Sequence, residues 1–125
     1  MDIDRTTELE PDPDAGSGIA CQHQEDGTYL TLWGEVDAAL RESASDAMSA
    51  VVSRSGTTPI VIDSRDVTFL DSSGVAFILQ VYMLGQESGA PVQLLEPSEA
   101  VTEVLEMIGM GDRIPVVREE QTAGA

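Results

Sequence analysis

Short apolar runs and stretches of helical periodicity alternate along most of this chain. Ile19 to Gln24 and Thr28 to Trp33 flank Glu25-Asp26-Gly27, an Asp-Gly signal for a hairpin. In the second run Leu30 and Leu32 share one face, and Tyr29, Thr31 and Trp33 share the other. Gly34 ends that strand in this reading. Ala38 to Ser53 has helical spacing at Leu40, Ala44, Ala47 or Met48, and Val51 or Val52, and Ser55-Gly56 and Pro59 close it. Ile60 to Asp63 is a β-branched strand, followed by Val67, Phe69 and Leu70. From Gly74 to Leu84 almost every residue is apolar, which predicts a second helix from about Ser73 to Gln86 with Gly85 and Gly89 marking its end. Val92 to Leu95 follows as a strand. Ser98 caps a third helix with Val101, Val104 or Leu105, and Ile108 as its buried stripe, and Gly109 and Gly111 stop it. Ile114 to Val117 is a candidate edge strand.

The order β-β-α-β-α-β-α-β predicts an α/β domain. Its sheet is mixed and mostly parallel, with four or five strands, and right-handed crossovers leave the helices packed mainly on one face. The loops after the second and third strands then emerge at one edge, where binding sites of open α/β sheets gather. That edge would bring Asp37, in Gly34-Glu35-Val36-Asp37, near Asp71-Ser72-Ser73-Gly74. Read alone, the tetrapeptide is a helix start, with Asp71 or Ser72 accepting bonds from the free amides of the first turn. A hydroxyl there also sits against the positive end of the helix dipole, where a phosphate is well held.

Composition narrows the function. Net charge is −17 over 125 residues, with six arginines and no lysine. A surface this acidic repels nucleic-acid phosphates and anionic lipid and suits a basic protein partner. Cys21 and His23 are each the only residue of their type, so a disulfide framework, a thiolate metal cluster and a serine hydrolase triad all lack parts. No Gly-x-Ser-x-Gly elbow, spaced-carboxylate calcium loop or Gly-rich phosphate loop with a lysine is present. No cofactor is expected, and nothing in the sequence is long and apolar enough to insert in a membrane. The acidic, polar start is unlike a secretory signal, so the protein reads as cytoplasmic. Residues 1–17 read as a disordered acidic tail, 18–117 as the folded domain and 118–125 as a flexible end.

Gly34-Glu35-Val36-Asp37, followed some thirty residues later by Val67-Thr68-Phe69-Leu70-Asp71-Ser72-Ser73-Gly74, resembles the STAS domain (sulfate transporter and anti-sigma-factor antagonist). The resemblance covers about Gly18 to Val117 and points to the free-standing bacterial anti-sigma-factor antagonists. It implies that Ser73, the residue before the motif glycine, is phosphorylated by a serine kinase of the GHKL ATPase type that is itself the anti-sigma factor. The unphosphorylated form would capture that kinase and free the sigma factor, and a metal-dependent serine/threonine phosphatase would reset the switch. Asp37, Asp71, Ser72 and Gly74 would form the surroundings of the phosphoacceptor. The sequence departs from the family at Leu40-Arg41, where Thr-Ala is usual, at Ser64-Arg65, where Leu-Ser is common, and at Trp33. Trp33 and Glu35 are expected at a partner-specific surface.

Phosphorylation adds about −1.5 to −2 charges at neutral pH. Beside Asp37 and Asp71 it would block docking through repulsion and desolvation rather than by refolding the domain. Along the second helix, Phe77, Gln80 or Val81, and Leu84 make one stripe from Ser73, while Val75, Ile78, Leu79 and Tyr82 make another. One stripe packs on the sheet. The other is either covered by neighbouring helices or, with Phe77, Val81 and Leu84 exposed, a dry docking patch beside the serine. The alternative function is a non-switching STAS subunit of a stress-signalling or lipid-transport complex.

Overall fold

The computed structural model describes residues 15–54 and 56–119. The chain runs β1 (Gly18–Gln24), β2 (Gly27–Val36), a short 3-10 turn (Ala38–Leu40), α1 (Arg41–Arg54), β3 (Ile60–Leu70), α2 (Ser72–Ser88), β4 (Val92–Leu95), α3 (Glu99–Met107) and β5 (Val116–Val117). One five-stranded sheet has the order β1-β2-β3-β4-β5. β1 and β2 form the antiparallel hairpin, and β2, β3, β4 and β5 are parallel. The expected mixed, mostly parallel α/β domain is the fold observed.

Alternation along the strands decides which face is covered. Cys21, Leu30, Leu32, Ile60, Ile62 and Leu94 are buried, as are Ala47, Ala50 and Val51 of α1, Phe77, Ile78 and Val81 of α2, and Val101 and Leu105 of α3. These side chains form one core cluster. Tyr29, Thr31, Val61, Asp63, Gln93 and Leu95 point the other way and are only partly covered. Each fully buried large apolar side chain contributes roughly 1.5–3 kcal/mol, so this helix-covered face carries most of the stability.

Several boundaries differ from expectation. β2 does not end at Gly34 but continues to Val36, and β3 runs to Leu70 rather than stopping near Asp63. The extra length comes from mutual pairing of the two strands, with register shifts between Thr31 and Trp33 and between Gly34 and Glu35. Gly34 takes the left-handed conformation there, with φ of 73°. A Cβ at Gly34 would run into the carbonyl oxygen of Gly16 and into Ser17. Gly85 does not end α2 but is buried within it, and the cap is Gly89, with φ of 80°. Ile108 is the exposed C-cap of α3 rather than part of its buried stripe. β5 is short, and Ile114 ahead of it is buried.

The acidic stretch read as a tail lies outside the described residues up to residue 14. Its last residues are tied down: Trp33 Nε1 donates to the Ala15 carbonyl oxygen at 3.0 Å, and the Glu35 amide donates to Ser17 Oγ at 2.8 Å. At the other end the Glu119 amide donates to Glu96 Oε2 at 2.8 Å. The remaining residues of the expected C-terminal tail, 120–125, also lie outside the described residues.

Candidate functional site

The C-terminal ends of β2 and β3 lie side by side, joined by a 3.4 Å bond from the Asp71 amide to the Val36 carbonyl oxygen. Each strand then gives way to an aspartate that caps the next helical segment. Asp37 Oδ1 accepts from the Ala39 amide at 3.0 Å, which turns the chain into the 3-10 segment ahead of α1. Asp71 Oδ1 accepts from the Ser73 amide at 2.8 Å and the Gly74 amide at 3.1 Å, satisfying two orphan donors of α2. Of the two capping candidates in the sequence, Asp71 takes the role and Ser72 does not.

This division of labour frees the serines. Ser72 and Ser73 are both exposed, and the cap is complete without either hydroxyl. Gly74 is buried, because the first turn of α2 is pressed onto the strand ends. A Cβ there would run into the Val36 carbonyl oxygen and the Leu70 side chain. The glycine therefore sets how close the helix start approaches the sheet, and the Ser73 hydroxyl is left at the rim beside a helix N-terminus.

Ser73, Gly74 and Asp37 line one end of a cleft of about 730 Å³ between α1 and α2. Its floor is Ile19, Val36 and Phe77, and its walls are Leu40, Ala44 and Met48 on one side and Ala76 and Gln80 on the other. Arg41 stands on the α1 wall. The hydrophobic pattern of the sequence does not single out this cleft. The signal available is the run of small residues Ala44, Ser45, Ser49 and Ala76, which leave open a space between two helices that larger residues would fill.

The edge thus gathers Asp37, Asp71, Ser72, Ser73 and Gly74. Glu35 pairs with Phe69 across the strands, and Phe69 is 50% exposed. Trp33 lies over Gly18 on the other face of the sheet and does not line the cleft. Of the two alternatives for the Phe77 stripe, burial is the one observed for Phe77 and Val81, which are core and not a docking patch because they fall on the side of α2 that faces the sheet and α1. Leu84 is partly buried and lines a small pocket with Thr28, Val51 and Ile60, about 16 Å along the helix from Ser73. Of the residues expected to pack on the sheet, Ile78 is buried, and Val75, Leu79 and Tyr82 are only partly so.

Other chemistry is remote or lacking. His23 Nδ1 lies 3.3 Å from Thr28 Oγ1 at the hairpin, the opposite end of β2 from Asp37. Among the described residues no group of three or more His, Cys, Asp or Glu side chains could hold a metal ion. None of the described helices is long and apolar enough to cross a membrane.

A family model described as "Mlab, STAS domain" matches residues 19–118. An anti-sigma F factor antagonist of Paenibacillus polymyxa is 26% identical over 105 residues, covering 84% of this chain and 90% of that protein. The antagonist of the same name from Lysinibacillus sphaericus is 30% identical over 93 residues, covering 74% and 79%. The anti-sigma-F factor antagonist RsfA of Mycobacterium tuberculosis is 25% identical over 96 residues, covering 76% and 75%. The solved structure of the anti-sigma factor antagonist SpoIIAA in its unphosphorylated form is similar in fold, with a TM-score of 0.67 and 23% identity over 85% of this chain and 93% of that one.

Proposed function

The chain belongs to the STAS domain family, and from that premise we propose that it is an anti-sigma-factor antagonist switched by phosphorylation of Ser73. Unmodified protein binds an anti-sigma factor that is also a serine kinase of the GHKL ATPase type, and a metal-dependent serine/threonine phosphatase restores the binding form. The names of the curated relatives support the antagonist role. In this reading it is a cytoplasmic regulator and not an enzyme, with a folded unit close to 18–117.

One observation supports a phosphoacceptor at this rim: Asp71 caps α2 by itself, so the exposed serine hydroxyls have no capping role and stand where a kinase can reach them. Ser73 is chosen over Ser72 because it matches the residue before the motif glycine of the family. Phosphate on Ser73 would join Asp37 and Asp71 at one edge, and a partner docked there would have to bury that charge. The helix N-terminus can hold the phosphate without refolding, so the change is local.

The test is reconstitution with the purified cognate anti-sigma factor and ATP, followed by mass spectrometric mapping. Phosphate is expected on Ser73, with Ser72→Ala still a substrate, Ser73→Ala binding constitutively and Ser73→Asp binding weakly. Phosphate on Ser72 would overturn the site. Stoichiometric recovery with permease subunits and no kinase would favour a non-switching STAS subunit instead.

A further inference from the structure

Among the described residues that line the cleft, Arg41 carries the one positive charge and Asp37 the one negative charge. α1 and α2 both start at the edge where β2 and β3 end, with Arg41 the first residue of α1 and Ser73 the second of α2. Side chains in a helix lean back toward its start, so both lean toward this edge. Only the 3-10 turn separates Arg41 from Asp37, a rise of about 8 Å over four residues. Across the edge, Gly74 is pressed against the Val36 carbonyl oxygen, which brings Ser73 alongside Asp37. That span is within reach of an arginine and a phosphoserine extended toward each other.

Arg41 is also poorly placed for a structural ion. A cation at a helix start opposes the dipole. Its side chain is exposed, and none of the ion pairs among the described residues includes it. By contrast, Arg65 and Arg118 each meet a carboxylate, and Arg54 donates to the Gly27 carbonyl oxygen. Asp37 is engaged elsewhere, its Oδ1 accepting from the Ala39 amide.

We infer that Arg41 is the receptor, within this same chain, for a phosphate on Ser73: its guanidinium donates to two phosphate oxygens across the mouth of the cleft. The inference rests on the phosphoacceptor reading of Ser73 and adds what holds the phosphate. The planar guanidinium fork matches two phosphate oxygens, and such charge-assisted bonds are about twice as strong as neutral ones. A phosphate brings about −1.5 to −2 charges to a rim that already holds Asp37 and Asp71, and Arg41 offsets part of that repulsion. The pairing also changes the surface, because the aliphatic stem of Arg41 then lies across Leu40 and Ala76 and covers that end of the cleft. It separates the two serines as well, since Ser73 lines the cleft and Ser72 does not.

Phosphoserine encoded genetically in place of Ser73, in the full chain, tests the pair without any kinase. Phosphorus NMR follows its second pKa, ordinarily about 6. That pKa is expected about one unit lower in the wild-type background than in Arg41→Gln, because the cation favours the dianion while Asp37 and Asp71 disfavour it. Arg41→Lys should recover part of the shift, and phosphoserine in place of Ser72 should titrate alike in both backgrounds. Unmodified Arg41→Gln should melt with wild type, and a marked drop would make Arg41 a structural residue and overturn the inference. Equal pKa values for phosphoserine at Ser73 in the two backgrounds would overturn the pair and leave the phosphoswitch standing. A shift that persists while the cognate kinase marks only Ser72 would keep the pair and remove the switch reading of Ser73.

Discussion

α2 and α3 begin in similar sequence contexts and are built differently. Each comes after a strand, opens on a polar residue and turns an apolar side onto the same sheet. At α2 the cap is a carboxylate with two amide bonds, and the residue three positions on is Gly74, too tightly packed for a side chain. At α3 the cap residue Ser98 makes no side-chain cap bond, its Oγ is buried without a partner, and the residue three positions on is the buried Val101. Ser98 is instead held by its amide, which donates to the Ser64 carbonyl oxygen at 3.2 Å. A serine at a helix start is therefore not one kind of residue. At α3 it is part of the packing, and at α2 the serine is turned outward because an aspartate and a glycine have taken over the structural work.

The contrast is broken most severely by giving α2 the side chain that α3 accepts. Gly74→Val should cost about 3 kcal/mol, the upper end of overpacking effects, seen as a lower urea midpoint at unchanged slope. A loss below about 1 kcal/mol would mean the two helix starts are equally accommodating. Next comes the cap: Asp71→Ala should cost about 1–2 kcal/mol, while Asp37→Ala, which loses a single amide bond, should cost about half as much in the same titration. Ser98→Ala should change stability by less than about 0.5 kcal/mol or raise it slightly, since it removes a buried hydroxyl that makes no bond. Smallest of all is Ser73→Ala, which should leave the thermal midpoint within about 1 °C while removing the phosphoacceptor. A marked drop there would show that Ser73 has a structural duty after all.

The element order, the hairpin and the shared edge of Asp37 and Ser73 are readable because local signals agree with the tertiary result: Asp-Gly at the turn, β-branched runs, caps before apolar stretches. β2 and β3 look shorter in sequence than they are for a definite reason. Glu35 and Arg65-Asp66 have the character of loop residues, and they stay in strands only because the two bulged strands pair with each other. The faces of α2 escape a sequence reading for another reason. A helix apolar nearly all round gives no phase, and only the position of α1 decides that Phe77 is core and Ala76 is not. The cleft is illegible because it depends on side chains too small to fill the space between helices.

The strand order has a kinetic corollary. Because β1 to β5 neighbour one another in the order in which they are made, each strand emerging from the ribosome finds its pairing edge already present. Each parallel closure spans a single helical crossover, and no strand has to wait for a partner made later than its immediate neighbour, which keeps contacts as local as a mostly parallel sheet allows. The bond between the Asp71 amide and the Val36 carbonyl oxygen needs only β1 to β3 and the first turn of α2. On this ordering the rim that presents the serine can be assembled before β4 and β5 exist, and the last two strands arrive to a site already in place.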